Sequence, residues 1–298
     1  MMKVFVRGMT LLLIVFLLAS CSTKEWPDNE HVRQNDNSSS KTVQILMIGI
    51  DSRGEDKSRS DAILVGQYNP KEKMIKVASF MRDSYVKIPT YEKGYHKLNT
   101  AYFLGGKELL ARTIKENFGI TVDHIVTIDF QGFVHVVDTL APEGIEVDVT
   151  QEMIDDMNFN VQPGTHYFSG EELLKYVRFR HDSESDFGRV KRQQEVILKL
   201  RDHLANEMSS IQQFASLPKL VEGASKYIES DLSLSETISL ASKVLLHQID
   251  QVETLTIPVE NSYENKTYDH AGAVLQLDAV KNMEVLNHFF KNQTEVNN

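Results

Sequence analysis

The order of short apolar runs and longer helical patterns constrains the fold of this chain more than any other feature. Bounded apolar runs predict strands at Val43–Ile50, 62–68, Met74–Phe80, 120–129, 144–149 and 252–259. Helical spacing predicts helices at 98–117, Phe130–Leu140, 169–176 and 190–208, with two more before the last strand. Because such helices cover both faces of the strands, we predict an α/β fold, a three-layer αβα sandwich with a mixed central sheet.

The first twenty residues have the pattern of an export signal. Lys3 and Arg7 precede an apolar run at 9–19, which is shorter than the ~20 residues that a membrane-spanning helix needs. The run ends at Leu18-Ala19-Ser20-Cys21, which resembles a bacterial lipobox. We therefore predict a signal peptide at 1–20 and lipidation of Cys21, with an ordinary signal peptide or a short uncleaved anchor as the alternative.

The segment that follows this signal is polar and biased in composition. Residues 22–41 include an Asn- and Ser-rich stretch and predict a flexible linker. The apolar pattern begins directly afterwards, so residues 42–292 are predicted to form one extracytoplasmic domain. The protein is expected at the outer face of the cell membrane, held there by its N-terminal anchor.

Composition excludes several classes of site and partner. The chain has one cysteine, Cys21, which excludes an internal disulfide framework and a cysteine-rich zinc site. Its formal net charge of -10 repels nucleic acid, so no nucleic-acid partner is expected. Any anion that the protein binds therefore needs a local group of cationic side chains.

Charged residues stand at the ends of the first predicted strands. Asp51 follows the first strand and Asp61 opens the second, each two residues from an arginine, Arg53 or Arg59. Two carboxylates at neighbouring strand ends suit Mg²⁺, which takes one or two carboxylates together with waters and phosphates. From spacing alone, two surface ion pairs explain the pattern equally well. Arg82 and Asp83 are expected at the same sheet edge, and Lys97 and Asn99 begin the next helix, whose first backbone N–H groups suit an anion.

A second cationic group lies downstream, where four of the eleven arginines fall between Arg178 and Arg192. Arg178 and Arg180 share one face of an extended segment. Arg189, Arg192 and Gln193 have the spacing that brings side chains together on a helix. Since the guanidinium fork bonds phosphate oxygens in pairs, the cluster predicts a pyrophosphate site, with a merely solvated helix face as the alternative.

These motifs, taken in order, resemble the LytR-CpsA-Psr family. The resemblance runs from about residue 45 to 200, over more than half of the chain, and becomes loose beyond it. It is carried by Ile48-Gly49-Ile50-Asp51-Ser52-Arg53, Arg59-Ser60-Asp61, Met81-Arg82-Asp83, Lys97-Leu98-Asn99-Thr100-Ala101-Tyr102, Gly105-Gly106, Tyr176-Val177-Arg178-Phe179-Arg180, Asp186-Phe187-Gly188-Arg189 and Arg192-Gln193.

The resemblance implies a Mg²⁺-dependent phosphotransferase of Gram-positive cell walls. Such an enzyme moves an anionic glycopolymer, such as wall teichoic acid, from a polyprenyl-pyrophosphate carrier to peptidoglycan. On the matching positions, Asp51 and Asp61 would hold the metal. The implied pyrophosphate ligands are Arg53, Arg59, Arg82, Lys97, Arg178, Arg180, Arg189, Arg192 and Gln193. The implied catalytic group is Asp61, Arg82, Asp83, Arg178 and Arg180.

The sequence leaves three points open. Either Asp61 or Asp83 could take the proton of the incoming sugar hydroxyl. The helix Phe130–Leu140 suits the wall of a channel for the polyprenyl tail, and it suits an ordinary core equally well. Hydrolysis of the lipid pyrophosphate, or binding of polyanions by a non-catalytic regulatory protein, are the alternative functions.

Two departures from the family pattern stand out. Met81 occupies a position where the family commonly has proline, although the charged pair that follows is kept. Family members are usually anchored by an uncleaved transmembrane helix, whereas this chain has a lipobox-like sequence at Cys21. The second departure affects the mode of attachment, and the side of the membrane stays the same.

Overall fold

A computed structural model describes residues 41–51, 58–207, 215–246, 249 and 251–291. The predicted signal peptide, Cys21, all of the predicted linker except residue 41, Arg53 and Met208 lie outside the described residues. Twelve strands are described: β1 Val43–Ile50, β2 Ser60–Asn69, β3 Met74–Phe80, β4 Ser84–Lys87, β5 Tyr95–Lys97, β6 His124–Asp129, β7 Ile145–Val149, β8 Gly164–Phe168, β9 Ile228–Ser230, β10 Gln251–Ile257, β11 Tyr263–Tyr268 and β12 Gly272–Leu277.

Eight helices are described within the same ranges. They are α1 Leu98–Phe118, α2 Phe130–Leu140, α3 Gln151–Met157, α4 Gly170–Tyr176, α5 Ser185–Glu207, α6 Leu217–Ser225, α7 Leu234–Leu246 and α8 Ala279–Phe290. Among these, none combines the length and the apolar composition that a bilayer-spanning segment needs.

The central sheet has six strands in the order β10-β3-β2-β1-β6-β9. β1 pairs antiparallel with β2 and parallel with β6, and β10 pairs parallel with β3, so the sheet is mixed. Side chains alternate between its faces: Ile45 and Met47 enter one apolar cluster, whereas Leu46 and Ile48 enter another. Helices α2, α6 and α7 cover the first face, and α1 and α8 cover the second. The predicted mixed α/β sandwich is confirmed.

A third apolar cluster lies beside this sandwich and builds the wall of the site described below. The antiparallel pair β7–β8 packs its buried residues, among them Val147 and Phe168, against α2, α4 and α5. A capping box begins α4, as predicted, because Glu172 accepts a hydrogen bond from the backbone N–H of Ser169 at 3.0 Å. These contacts hold α4 and α5 at fixed positions next to α2.

The break predicted in α1 is also confirmed. Gly105 and Gly106 leave the helical conformation, and Gly106 has φ 65° and ψ -160°, a combination open to glycine. Gly119 ends the helix with φ 72° and donates its N–H to the carbonyl of Lys115. The predicted glycines therefore set both the kink and the end of α1.

The structure differs from the sequence prediction at the start of β6 and in several short elements that were not predicted, among them β8, β9 and α3. β6 begins at His124 instead of residue 120, because Asp123 accepts a hydrogen bond from the backbone N–H of Gln44 at 2.9 Å and ends the loop there. A second sheet, in the order β11-β12-β4-β5, and the helix α8 were not predicted. This sheet joins short segments that lie far apart in the chain, so local periodicity does not reveal it.

Candidate functional site

The first two strands place two carboxylates at one end of the central sheet. Gly49 lies opposite Ala62 and Ile50 lies opposite Ser60, which leaves Asp61 as the extra residue of a β-bulge. Such a bulge redirects a side chain out of the regular alternation. Asp51 follows directly, and both carboxylates line the same cavity.

This cavity has a volume of about 540 Å³ and two chemically distinct parts. The charged and amide side chains of the lining, here together called the mouth, are Asp51, Arg59, Asp61, Arg82, Asp129, Arg178, Arg180, Arg189 and Gln193. The apolar part, here called the interior, is formed mainly by α2, α4 and α5, with Phe130, Phe133, Val136, Val137, Leu174, Val177, Val196, Ile197 and Leu200. The arrangement suits a ligand with an anionic head and a hydrocarbon tail.

Aromatic rings hold two of the arginines at the mouth. The guanidinium of Arg178 lies 4.5 Å from the ring centroid of Phe130, the first residue of α2. The guanidinium of Arg59 lies 5.6 Å from the ring of Phe103. Both contacts are cation–π interactions, which restrict the guanidinium planes without neutralising their charge.

Arg82 is tied to the carboxylate of the bulge. It forms an ion pair with Asp61, and its Nε lies 3.7 Å from Asp83 and 3.9 Å from Asp186. Burial lowers the pKa of Arg82, but the nearby carboxylates, led by Asp61, outweigh this effect and raise the pKa above its ordinary value. Arg82 therefore remains positively charged beside Asp61.

Arg189 is the most buried arginine of the cavity lining, since only 3% of its surface is exposed. Its burial lowers its pKa to about 10, and the neighbouring charges of Arg82 and Arg180 act in the same direction. Asp186, at 2.9 Å, opposes the shift. Because a pKa of about 10 is far above neutral pH, Arg189 stays charged.

Three of the predicted ligand or catalytic residues lie outside the cavity lining. Arg192 donates to the carbonyl oxygen of Phe179 at 2.6 Å and pairs with Asp182. Lys97 pairs with Asp83 at 2.8 Å. The stripe of α5 that faces the cavity consists of Arg189, Gln193, Val196, Ile197 and Leu200. Arg192 stands at the edge of this stripe and is turned to Phe179 instead.

Sequence reasoning missed two residues of the site, Asp129 and Asp186, and it named Phe130 only as part of a helix that suits a channel wall. Asp129 caps α2, accepting the N–H of Gly132 at 2.7 Å, and it lines the mouth. Phe130 follows it and stacks on Arg178. Asp186 contacts three arginines, and the sequence analysis assigned it no function, although it begins the motif Asp186-Phe187-Gly188-Arg189. Its position three residues before Arg189 on a helix was the available signal.

The carboxylates at the mouth fit Mg²⁺ by their chemistry. Across the described part of the chain, no cluster of three or more histidine, cysteine or acidic side chains could hold a metal by itself. Mg²⁺ usually takes one or two protein carboxylates and completes its shell with waters and substrate phosphates. Asp51 and Asp61, at the mouth of a cavity rich in arginine, match that pattern.

Two known proteins are similar in sequence to this chain over most of its length. The regulatory protein MsrR of Staphylococcus aureus is 37% identical over 247 residues, which cover 83% of this chain and 74% of MsrR. The polyisoprenyl-teichoic acid–peptidoglycan teichoic acid transferase TagT of Bacillus subtilis is 36% identical over 211 residues, covering 67% of this chain and 63% of TagT.

Solved structures match as well. A structure of TagT bound to LIIa-WTA has a TM-score of 0.67 and 28% identity, and the match covers 87% of this chain and 93% of that one. A structure of the same protein with bound octaprenyl pyrophosphate has a TM-score of 0.62 and 28% identity, with 87% and 94% coverage. A profile of the LytR_cpsA_psr family matches residues 13–285. The chain therefore belongs to the LytR_cpsA_psr family.

Proposed function

We propose that this protein transfers an anionic glycopolymer from a polyprenyl-pyrophosphate carrier to peptidoglycan. The observation that carries the proposal is the division of one cavity into an arginine-rich mouth and an apolar interior. A polyprenyl pyrophosphate has the same division, with a charged head and a long hydrocarbon tail. The relatives TagT and TagV carry the name of a teichoic acid transferase, and TagT has been solved with octaprenyl pyrophosphate, which supports the proposal.

The proposed reaction is a phosphoryl transfer between two oxygens. A sugar hydroxyl of peptidoglycan forms a bond to the polymer-side phosphorus, and the bond from this phosphorus to the bridging oxygen breaks. Polyprenyl phosphate leaves with the bonding electrons. Asp61 takes the hydroxyl proton in this proposal, because it lines the cavity and Asp83 does not.

The side chains at the mouth act mainly by position and charge. Arg59, Arg82, Arg178, Arg180 and Arg189 bind phosphate oxygens, and Gln193 adds an amide donor. Such preorganised donors stabilise the charge that develops during phosphoryl transfer. Mg²⁺ held by Asp51 and Asp61 would neutralise further charge on the same oxygens. The apolar interior binds the polyprenyl tail and so holds the pyrophosphate at the mouth.

One experiment distinguishes this function from its alternatives. The purified protein is incubated with a lipid-linked glycopolymer, Mg²⁺ and peptidoglycan oligomers, and the products are separated by mass. A polymer–peptidoglycan conjugate supports the transferase. Free phosphopolymer indicates a hydrolase. Unchanged substrate indicates a binding or regulatory protein, as the name of the relative MsrR suggests for that protein.

The metal assignment predicts a strong effect of removing either carboxylate charge. We expect Asp51→Asn and Asp61→Asn to keep their fold and to lose most Mg²⁺-dependent transfer, because the amide is a far weaker ligand for a hard cation. The measurement is the transfer rate as a function of Mg²⁺ concentration. Asp155→Asn, on the exposed side of α3, serves as the control. Unchanged rates and Mg²⁺ dependence in both cavity variants contradict the assignment.

The attachment to the membrane is a separate proposal that rests on the lipobox-like sequence. We expect Cys21→Ala to release the protein from membranes, since an apolar run of this length spans a bilayer poorly. Membrane fractionation and the mass of the N-terminal peptide measure the outcome. A variant that stays bound and uncleaved shows that the segment is a simple anchor.

A further inference from the structure

Asp186 is the point at which three cavity arginines meet. Its Oδ2 lies 2.9 Å from Arg189 and 3.9 Å from Arg82, and its Oδ1 lies 4.0 Å from Arg180. These arginines come from three separate places: Arg82 follows β3, Arg180 follows α4, and Arg189 lies in α5. Asp186 itself is not among the residues that line the cavity, so it stands behind the arginines.

The surroundings of Asp186 are enclosed and dominated by positive charge. Its side chain is 19% exposed, and its Oδ1 is buried without a hydrogen-bond partner in the structure. The charges of Arg82 and Arg180 oppose the protonated form of Arg189, whereas Asp186 and, to a smaller extent, Asp61 favour it. Asp186 therefore offsets part of the mutual repulsion of the three guanidinium groups.

We propose that Asp186 is a positioning residue that holds these three arginines on one phosphate group and weakens their grip on anions. The inference rests on the proposed function and deepens it. Each arginine keeps its outer N–H groups for the ligand while Asp186 holds it from behind. The negative charge of Asp186 also repels a bound phosphate, which limits the affinity of the cavity for its anionic ligands.

This repulsion has a use at the end of the proposed reaction. Breaking the bridging bond converts a pyrophosphate diester into polyprenyl phosphate, a monoester that can carry one more negative charge on its phosphorus. A purely cationic cavity would retain such a product. A carboxylate behind the arginines lowers that affinity, so that the spent lipid leaves and turnover continues.

The test replaces the charge with an isosteric amide. In Asp186→Asn, we expect inorganic pyrophosphate to bind on the order of tenfold more tightly, because the variant lacks one negative charge that repels the bound anion. The KM for the lipid-linked polymer should stay equal or fall while kcat falls, since product release slows and the arginines are less well oriented. Calorimetry with pyrophosphate and steady-state transfer measure the two effects.

Two further variants separate charge from packing. Asp182→Asn removes the carboxylate that pairs with Arg192, away from the cavity lining, so the pyrophosphate affinity should stay within about twofold. Asp186→Glu keeps the charge, so its affinity should also stay near that of the wild type while its longer stem displaces the arginines and lowers kcat. If Asp186→Asn does not fold, the pyrophosphate affinity and kcat of Asp186→Glu test the inference.

The outcomes for the inference and for the proposed function are distinct. Tighter pyrophosphate binding in Asp186→Asn alone, with a lower kcat, supports the inference. Weaker or unchanged binding in Asp186→Asn, the same gain in Asp182→Asn, or a large gain in Asp186→Glu overturns it. If the wild type binds pyrophosphate and forms no conjugate, the proposed transferase function fails, and the binding comparison still decides the role of Asp186.

Discussion

Replacing Arg178 or Arg180 with alanine is expected to lower the transfer rate by roughly 10- to 100-fold. A charge-assisted hydrogen bond is worth on the order of 1.5–3 kcal/mol, and its loss in the transition state changes the rate by that factor. We expect the larger effect at Arg178, because Phe130 already holds its guanidinium. Arg180 should lie at the lower end, since 46% of its side chain is exposed.

Lysine at the same positions separates the shape of the guanidinium from its charge. Arg178→Lys and Arg180→Lys keep a cation and lose the planar fork, so both should still impair transfer, though less than alanine. Arg112→Ala, on the exposed side of α1, is the control for removal of an arginine outside the cavity. Rates and thermal midpoints are measured together. Silent lysine variants, or activity losses that merely follow unfolding, show that the arginines have no role in the chemistry.

Gly132→Ala is expected to destabilise the protein by about 2 kcal/mol or more, because it forces extra volume into a closed contact. A Cβ atom at this position would lie 2.3 Å from the carbonyl oxygen of Tyr227 and 3.1 Å from Ile128. Both neighbours belong to or flank strands of the central sheet. The start of α2 would have to move away from the sheet, and with it Phe130 and the mouth of the cavity.

A glycine-to-alanine change at a second helical position should not destabilise the protein. At Gly223, in α6, the nearest atom to a new Cβ is a methyl group of Thr139 at 3.7 Å, which is an ordinary contact. Gly223→Ala should therefore be neutral or stabilise by up to ~1 kcal/mol, since alanine is the better helix former. Denaturant unfolding of both variants measures the difference. Equal effects at the two positions would contradict the close approach seen at Gly132.

Several site residues could be predicted from their position relative to the strands. Asp51 and Asp61 adjoin strands whose apolar pattern is clear, and paired neighbouring strands bring such ends together. Arg178, Arg180, Arg189 and Gln193 could be predicted from their density in an acidic chain. All of these side chains line the cavity. Their roles in binding and catalysis remain predictions, which the variants above test.

Other features depend on contacts between distant segments and were not predictable. β10 pairs with β3, and β12 pairs with β4, across well over a hundred residues of intervening chain. No periodicity in either strand specifies its partner. The same limit applies to Asp129, whose use as a helix cap is local but whose place at the cavity mouth depends on the pairing of β6 with β1.

The sequence by itself determined the α/β class, the kink and end of α1, and the residue types of a phosphate site, because local periodicity, glycine conformation and charge density are written along the chain. Tertiary structure alone decided which arginines share the cavity. Arg189 and Arg192 are three residues apart on one helix, yet the first faces the mouth and the second pairs with Asp182. The reason is that helical spacing shows only that two side chains lie on the same broad face of a helix. Which of them faces the cavity depends on the neighbouring segments, and here Phe179 packs against Arg192 and binds its guanidinium.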